Sequence, residues 1–181
     1  MDLPGSSYFF TLAELSITFV GFSSLVVVLR QTMGGEMSKL DILITRIFIQ
    51  LGFIVAAGSL LPALLSLFHL SQTFVWRAAS LPPAIAAVLF AATYPARRRT
   101  ASGVATPLAV WIDDAVIVAA AGVLLCNAAG WPFVTGAGPF GAGLTAILFV
   151  SGWSYLQALN TLLRHHAAQR TAQGRAPHHR G

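Results

Sequence analysis

Five long apolar runs dominate this sequence, and each carries no more than two charged residues. A run of about 18 or more apolar residues is typical of a helix that crosses a bilayer. Only 9% of the residues are charged, against roughly 25% in a soluble domain. The sequence therefore predicts an all-α integral membrane protein, a bundle of five transmembrane helices over residues 8–29, 42–68, 74–94, 107–130 and 140–163.

The polar segments between these runs predict where the helices end. The stretch "PARRRTASGVAT" follows Tyr94, and we expect it to break the chain after the third helix. Residues 164–181 are rich in Arg, Gln, Ala and Gly and predict a basic cytoplasmic tail. The third helix has no polar side, so we expect it at the periphery of the bundle.

The basic residues predict the orientation in the membrane. Five spans place the two termini on opposite sides, and nearly all basic residues fall on the side of the C-terminus: Arg30, Lys39, Arg97, Arg98, Arg99, Arg164, Arg170, Arg175 and Arg180. Arg77 is the exception. Because cytoplasmic loops are enriched in Lys and Arg, we expect an external N-terminus and a cytoplasmic C-terminus. The net charge of +5 then indicates contact with anionic lipid head groups rather than with nucleic acid.

Glu14 lies about a third of the way along the first span, where an ionisable side chain costs about 2.5–3.5 kcal/mol on insertion scales. At 100° per residue it shares an arc of roughly 80° with Thr11, Thr18 and Gly21. Asn127 of the fourth span has a similar predicted depth. These positions predict an ion pathway of Glu14, Thr11, Thr18 and Asn127. The alternative is that Glu14 is an inert, hydrogen-bonded acid inside the bundle.

A second polar layer is predicted nearer the cytoplasmic surface. Arg46 of the second span and Asp113 and Asp114 of the fourth have similar predicted depths. An intramembrane ion pair would neutralise these charges and join the two helices. We therefore predict that Arg46 pairs with Asp113 or Asp114.

Motifs of enzymes and metal sites are missing from the sequence. It contains no nucleophile elbow, no zinc-ligand spacing and no phosphate-binding glycine loop. The adjacent histidines at 165–166 and 178–179 are weak evidence for metal, and the single Cys126 cannot form an intrachain disulfide. We expect no catalytic residues, no cofactor and no enzymatic activity.

The segment "AELSITFVGFSSLVVVLR" resembles the first helix of small uncharacterised bacterial inner-membrane proteins. Their pattern, roughly A-E-x-x-x-T-F-x-G-F, corresponds here to Ala13, Glu14, Thr18, Phe19, Gly21 and Phe22. The resemblance covers about a tenth of the chain. It implies a multi-pass protein of the bacterial inner membrane and gives no activity.

Two functions are compatible with this pattern. The first is a homo-oligomeric ion or proton conduit with Glu14 in the pathway, since one chain of 181 residues is too small to enclose a wide path. Small residues in the second and fourth spans permit close helix contacts within or between subunits. The second is an accessory or scaffolding subunit of a membrane complex, without transport activity of its own.

Overall fold

The chain folds into five α-helices. A computed structural model describes residues 5–32, 39–103, 107–131 and 135–174; at 26, 30, 31, 40, 41 and 158–174 it describes the backbone alone. The helices, in chain order, are α1 (Ser6–Thr32), α2 (Lys39–Ser66), α3 (Gln72–Ser102), α4 (Leu108–Ala129) and α5 (Ala137–Gly174). The described residues contain no β-strand. The predicted all-α helical bundle is confirmed.

All five helices are long and apolar enough to cross a membrane, as a multi-pass protein requires. α3 continues eight residues beyond the expected end at Tyr94, with Pro95 inside the helix. Membrane helices tolerate proline because neighbouring groups satisfy the freed carbonyl. α5 likewise continues into the predicted basic tail as far as Gly174, through residues of high helix propensity. Residues 175–181 of that tail lie outside the described residues.

The helices α2 to α5 surround the core, and α1 lies outside them. α2, α3, α4 and α5 contact one another in a ring, while α1 packs mainly against α2. The centre is apolar and closed, and its largest fully buried side chains are Phe48, Leu51, Val55, Leu124, Phe140, Leu144 and Ile147. The peripheral helix is thus α1, of whose membrane span 24% is buried, against 50% for α3.

The expectation that α3 lies at the periphery is wrong, and small residues explain why. Ser80, Ala84, Ala87 and Ala91 recur every three to four positions, and they are all buried, as is the neighbouring Ala79. Such a stripe lets neighbouring helix backbones approach closely, which is a main source of helix association in lipid. The packing of α3 in the bundle therefore depends on this stripe of small residues and does not require a polar side.

Two aromatic clusters fix the rotation of α1 about its axis. Near its start, the ring of Phe9 lies 5.5 Å from that of Trp76 and 5.3 Å from that of Phe140. Further along, Phe19 lies 5.8 Å from Phe48 and 5.7 Å from Tyr155. The aromatic side chains of α1 therefore contact α3 and α5 near its start and α2 and α5 further along, and the opposite face of α1 is left on the surface.

Glycine permits the closest helix contacts. A Cβ at Gly52 of α2 would overlap the side chain of Val20 on α1. A Cβ at Gly143 of α5 would lie 2.7 Å from Cγ of Leu124 on α4. These two glycines set the spacing of the α1–α2 and α4–α5 pairs.

Arg77 of α3 caps the C-terminal end of α4. Its Nε donates to the carbonyl oxygen of Ala128 at 3.0 Å, and its Nη2 donates to that of Ala129 at 3.1 Å. These are among the last carbonyls of α4, which have no partner within the helix. The cation also opposes the negative end of the helix dipole. The basic residue that departs from the orientation pattern therefore has a structural role within one subunit.

Candidate functional site

Glu14 lies on the exposed face of α1, directed away from its own bundle. Thr11, Thr18 and Gly21 are exposed on the same face, so the predicted grouping of these residues is present in the structure. We call these four residues the Glu14 face. Glu14 follows Ser6 by eight residues, or about 12 Å along the axis, in a span about 36 Å long. It therefore lies at a depth where a monomer would meet hydrocarbon.

The packing of α1 explains this direction. Its buried side chains include Phe9, Leu12, Ala13 and Ser16, which recur at helical spacing. At 100° per residue, Glu14 lies about 160° around the axis from the centre of that buried face. Glu14 cannot turn inward without removing Phe9 and Phe19 from the aromatic clusters described above. The outward direction is thus a consequence of how α1 packs.

No basic side chain in the described part of the chain pairs with Glu14. The hydroxyl of Thr11 donates to the carbonyl oxygen of Ser7 at 3.0 Å and so serves its own helix. Large apolar side chains flank the face: Leu15, Ile17, Phe22 and Leu25 are each more than half exposed. The result is one carboxylate within an apolar, membrane-facing surface.

Asn127, the fourth residue of the predicted pathway, is not on this face. It is completely buried near the end of α4, and no Cα atom of α4 lies within 8 Å of one of α1 among the described residues. Its side-chain amide donates to Ser80 Oγ at 2.8 Å and to the carbonyl oxygen of Gly136 at 3.2 Å. Its side-chain oxygen accepts from the Gly136 backbone N–H at 2.8 Å. Asn127 therefore joins α4 to α3 and to the start of α5.

The predicted ion pair of Arg46 with Asp113 or Asp114 does not form in the described structure. α2 and α4 lie across the ring from each other, with α3 and α5 between them. Instead, Oδ2 of Asp113 accepts a hydrogen bond from Ser154 of α5 at 2.9 Å. Similar depth was not sufficient for a contact because the two helices are not neighbours.

Asp114 and Arg46 occupy contrasting surroundings. Asp114 is 9% exposed, and its Oδ1 has no hydrogen-bond partner among the described residues. Arg46 is exposed on the membrane-facing side of α2 and has no ion-pair partner in the described part of the chain. The inner polar layer is therefore divided between an α4–α5 contact and a separate basic position on α2.

Two partners of these polar residues were not predicted from the sequence. Ser80 accepts from Asn127, and Ser154 donates to Asp113. Ser154 had a visible signal, since it lies on the polar side of the fifth helix. Ser80 had one in retrospect: it belongs to the small-residue stripe of α3.

Among the residues that the structure describes, no group of three or more His, Cys, Asp or Glu side chains could hold a metal ion. The histidines at 165–166 fall where only the backbone is described, and those at 178–179 fall outside the description. Comparison of the chain with models of protein families, with curated proteins and with solved structures finds no match.

Proposed function

We propose that this protein is a homo-oligomeric conduit for cations or protons, with the pathway between subunits at the Glu14 face. The observation that carries the proposal is the exposed position of Glu14, about 12 Å along the membrane span of α1. Glu14, Thr11 and Thr18 are the residues we assign to this pathway. Asn127, which is buried and hydrogen-bonded within one subunit, is left out.

In a membrane, the exposed Glu14 needs a cover other than hydrocarbon. A charged side chain facing hydrocarbon costs about 2.5–3.5 kcal/mol on insertion scales, so such residues normally face protein or water. In a two-fold dimer, a second copy of this chain would bring the same face to the contact. Around a ring of subunits, the carboxylates would converge on one axis, as acidic rings do in cation channels. Gly21 and the short threonines would permit the close approach of neighbouring α1 helices.

A pathway through one subunit has no support. The centre of the ring formed by α2 to α5 is filled by buried apolar side chains, among them Phe48, Leu51 and Phe140. Side chains of this size and apolarity make the middle of the ring unfavourable for water and ions. A conduit built from this chain would therefore run between copies.

The location and orientation are part of the proposal. We place the protein in the inner membrane of a bacterium, with its N-terminus outside and its C-terminus in the cytoplasm. Lys39 begins α2 and Arg97 to Arg99 lie in the last two turns of α3, so with five spans these residues are on the side of the C-terminus. Arg77 lies at the other end but is occupied by the carbonyls of α4. The remaining basic residues then face the anionic head groups of the cytoplasmic leaflet.

Reconstitution into liposomes tests the proposal. Proton and monovalent-cation flux would be compared for the wild-type protein, Glu14→Gln and Glu14→Asp, with oligomeric state measured for each. We expect Glu14→Gln to lower flux at least tenfold while Glu14→Asp retains most of it, because only the second keeps the charge. Equal flux for wild type and Glu14→Gln, with oligomers intact, would contradict the role assigned to Glu14.

The alternative, an accessory subunit, is favoured by the large apolar side chains around Glu14. Leu15, Ile17 and Phe22 could form a dry contact with a helix of a different membrane protein. A stoichiometric larger partner in mild-detergent purifications, together with no flux by the isolated protein, would support this function over the conduit.

A further inference from the structure

A groove of about 560 Å³ opens on the membrane-facing side between α2 and α3. Its apolar walls include Phe53, which is 58% exposed, and Leu89, which is 60% exposed. Ala86 contributes no bulk between them, and Phe90 is buried beneath. This groove is separate from the Glu14 face, which lies on α1.

Polar residues are concentrated at one end of the groove. Gln50 of α2 and Thr93 of α3 line it together, and Arg97 lines it one turn beyond Thr93. From Ala86 to Arg97 the groove extends about 16 Å along α3. This length matches one leaflet of a hydrocarbon core about 30 Å thick. Along α3 the groove is therefore apolar from Ala86 to Phe90, about 6 Å, then polar at Thr93 and basic at Arg97.

Arg46 adds a second cation at the basic end. It precedes Gln50 by one turn on the same face of α2. α2 and α3 are antiparallel, since Gly58 contacts Pro83 while Gln50 lines the groove with Thr93. Moving from Gln50 to Arg46 therefore leads in the same direction as moving from Thr93 to Arg97. Neither aspartate pairs with Arg46, and none of the described lining residues of the groove is acidic.

We propose that this groove binds an anionic phospholipid of the cytoplasmic leaflet. An acyl chain lies against Phe53, Ala86 and Leu89, and the guanidinium groups of Arg46 and Arg97 donate to the phosphate. The amide of Gln50 lies below them, at the level of the ester groups. Basic positions between transmembrane helices at this surface suit such head groups, and arginine matches phosphate geometry well. The proposal does not depend on the conduit function.

Lipid titration of the delipidated full-length protein in detergent, followed by native mass spectrometry, tests the site. Phosphatidylglycerol would be compared with phosphatidylcholine of the same acyl chains and with water-soluble glycerol phosphate. The variants are Arg46→Gln with Arg97→Gln, Ala86→Trp to fill the groove, and Arg99→Gln as the control. Arg99 is exposed at the same end of α3 but does not line the groove.

The wild-type protein is expected to bind one phosphatidylglycerol in preference to phosphatidylcholine, and to bind glycerol phosphate weakly. A basic residue near an anionic surface contributes about fivefold in affinity, so the double variant should lose about 25-fold. Ala86→Trp should also lose the bound lipid, and Arg99→Gln should keep it. Equal binding of the two lipids, or equal losses in Arg99→Gln and the double variant, would overturn the proposal. So would an Ala86→Trp variant that changes the oligomeric state and leaves lipid binding intact.

Discussion

The side-chain amide of Asn127 donates to the hydroxyl of Ser80 at 2.8 Å, deep between α4 and α3. The other contacts of Asn127, to the backbone of Gly136, tie the same side chain to the start of α5. One buried residue thus connects three helices of one subunit. Both N–H donors of the Asn127 amide and one lone pair of its oxygen are thus used in contacts within the subunit.

Replacing Asn127 by Ala should destabilise the bundle by about 2 kcal/mol, because the Gly136 backbone groups lose their partners in a buried place. Thermal unfolding in detergent, detected through the reaction of Cys126 with a thiol dye, would measure this loss of stability. Ser80→Ala and the double variant complete a cycle that isolates the Asn127–Ser80 contact. An unfolding midpoint for Asn127→Ala equal to that of the wild type would contradict this structural role.

The composition of the Glu14 face was predictable, but its direction was not. Helical periodicity alone places Thr11, Glu14 and Thr18 on one side of α1. Which side packs inward depends on close contacts, since hydrocarbon solvates apolar side chains as well as a helix neighbour does. Apolar side chains such as those of Phe9 and Ala13 suit a lipid-facing position as well as a buried one. They therefore identify the buried side of α1 only once their partners are known.

Cysteine cross-linking should detect the Glu14 face at a subunit contact. In a Cys126→Ser background, Thr18→Cys should form an intersubunit disulfide on mild oxidation in membranes, because residues that face the symmetry axis lie close to the same residues of other copies. Ala13→Cys is the matched control, since it is 3% exposed and faces the inside of the subunit. Equal cross-linking of the two variants, or none for Thr18→Cys, would count against this contact.

Two glycines separate folding of the subunit from assembly. Gly52→Ala should destabilise the α1–α2 pair by about 1–3 kcal/mol, because the new Cβ overlaps the stiff, β-branched side chain of Val20. Gly21→Ala meets open space and should leave subunit stability unchanged or slightly higher. Gly21→Leu should weaken the oligomer at unchanged subunit stability, as measured by native mass spectrometry. Unaltered oligomers in Gly21→Leu would place the contact elsewhere on the subunit.

Depth along a helix can be counted from a sequence, whereas neighbourhood in a bundle cannot. Arg46 and Asp113 were predicted at similar depths, and opposite charges at one depth suggest a pair. The ring order, with α3 and α5 between α2 and α4, prevents that contact. The order of the helices in the ring arises from close contacts such as that of Gly143 with Leu124, which no charge pattern reveals.

The separation of Arg46 from the aspartates has a measurable consequence. Ser154→Ala removes the donor to Asp113 and should cost about 1 kcal/mol of stability. Arg46→Gln should change stability by less than about 0.5 kcal/mol in detergent free of anionic lipid, as for a surface substitution. Thermal unfolding of the purified variants would measure both changes in stability. A larger loss of stability for Arg46→Gln than for Ser154→Ala would contradict the structure and indicate that Arg46 forms an ion pair.

The end of α4 offers a test of the Arg77 contacts. Gly130 has φ of 75°, and a Cβ there would lie 2.9 Å from Cζ of Arg77. Gly130→Ala should therefore cost about 2 kcal/mol, through the left-handed backbone and displacement of the guanidinium from its two carbonyls. Gly122→Ala, in the same helix with nothing near its Cβ, should leave stability unchanged or higher. Arg77→Ala combined with Gly130→Ala should lose less than the sum of the single variants, because both act on one contact. Additive losses in thermal unfolding would show that Gly130 acts through its backbone alone.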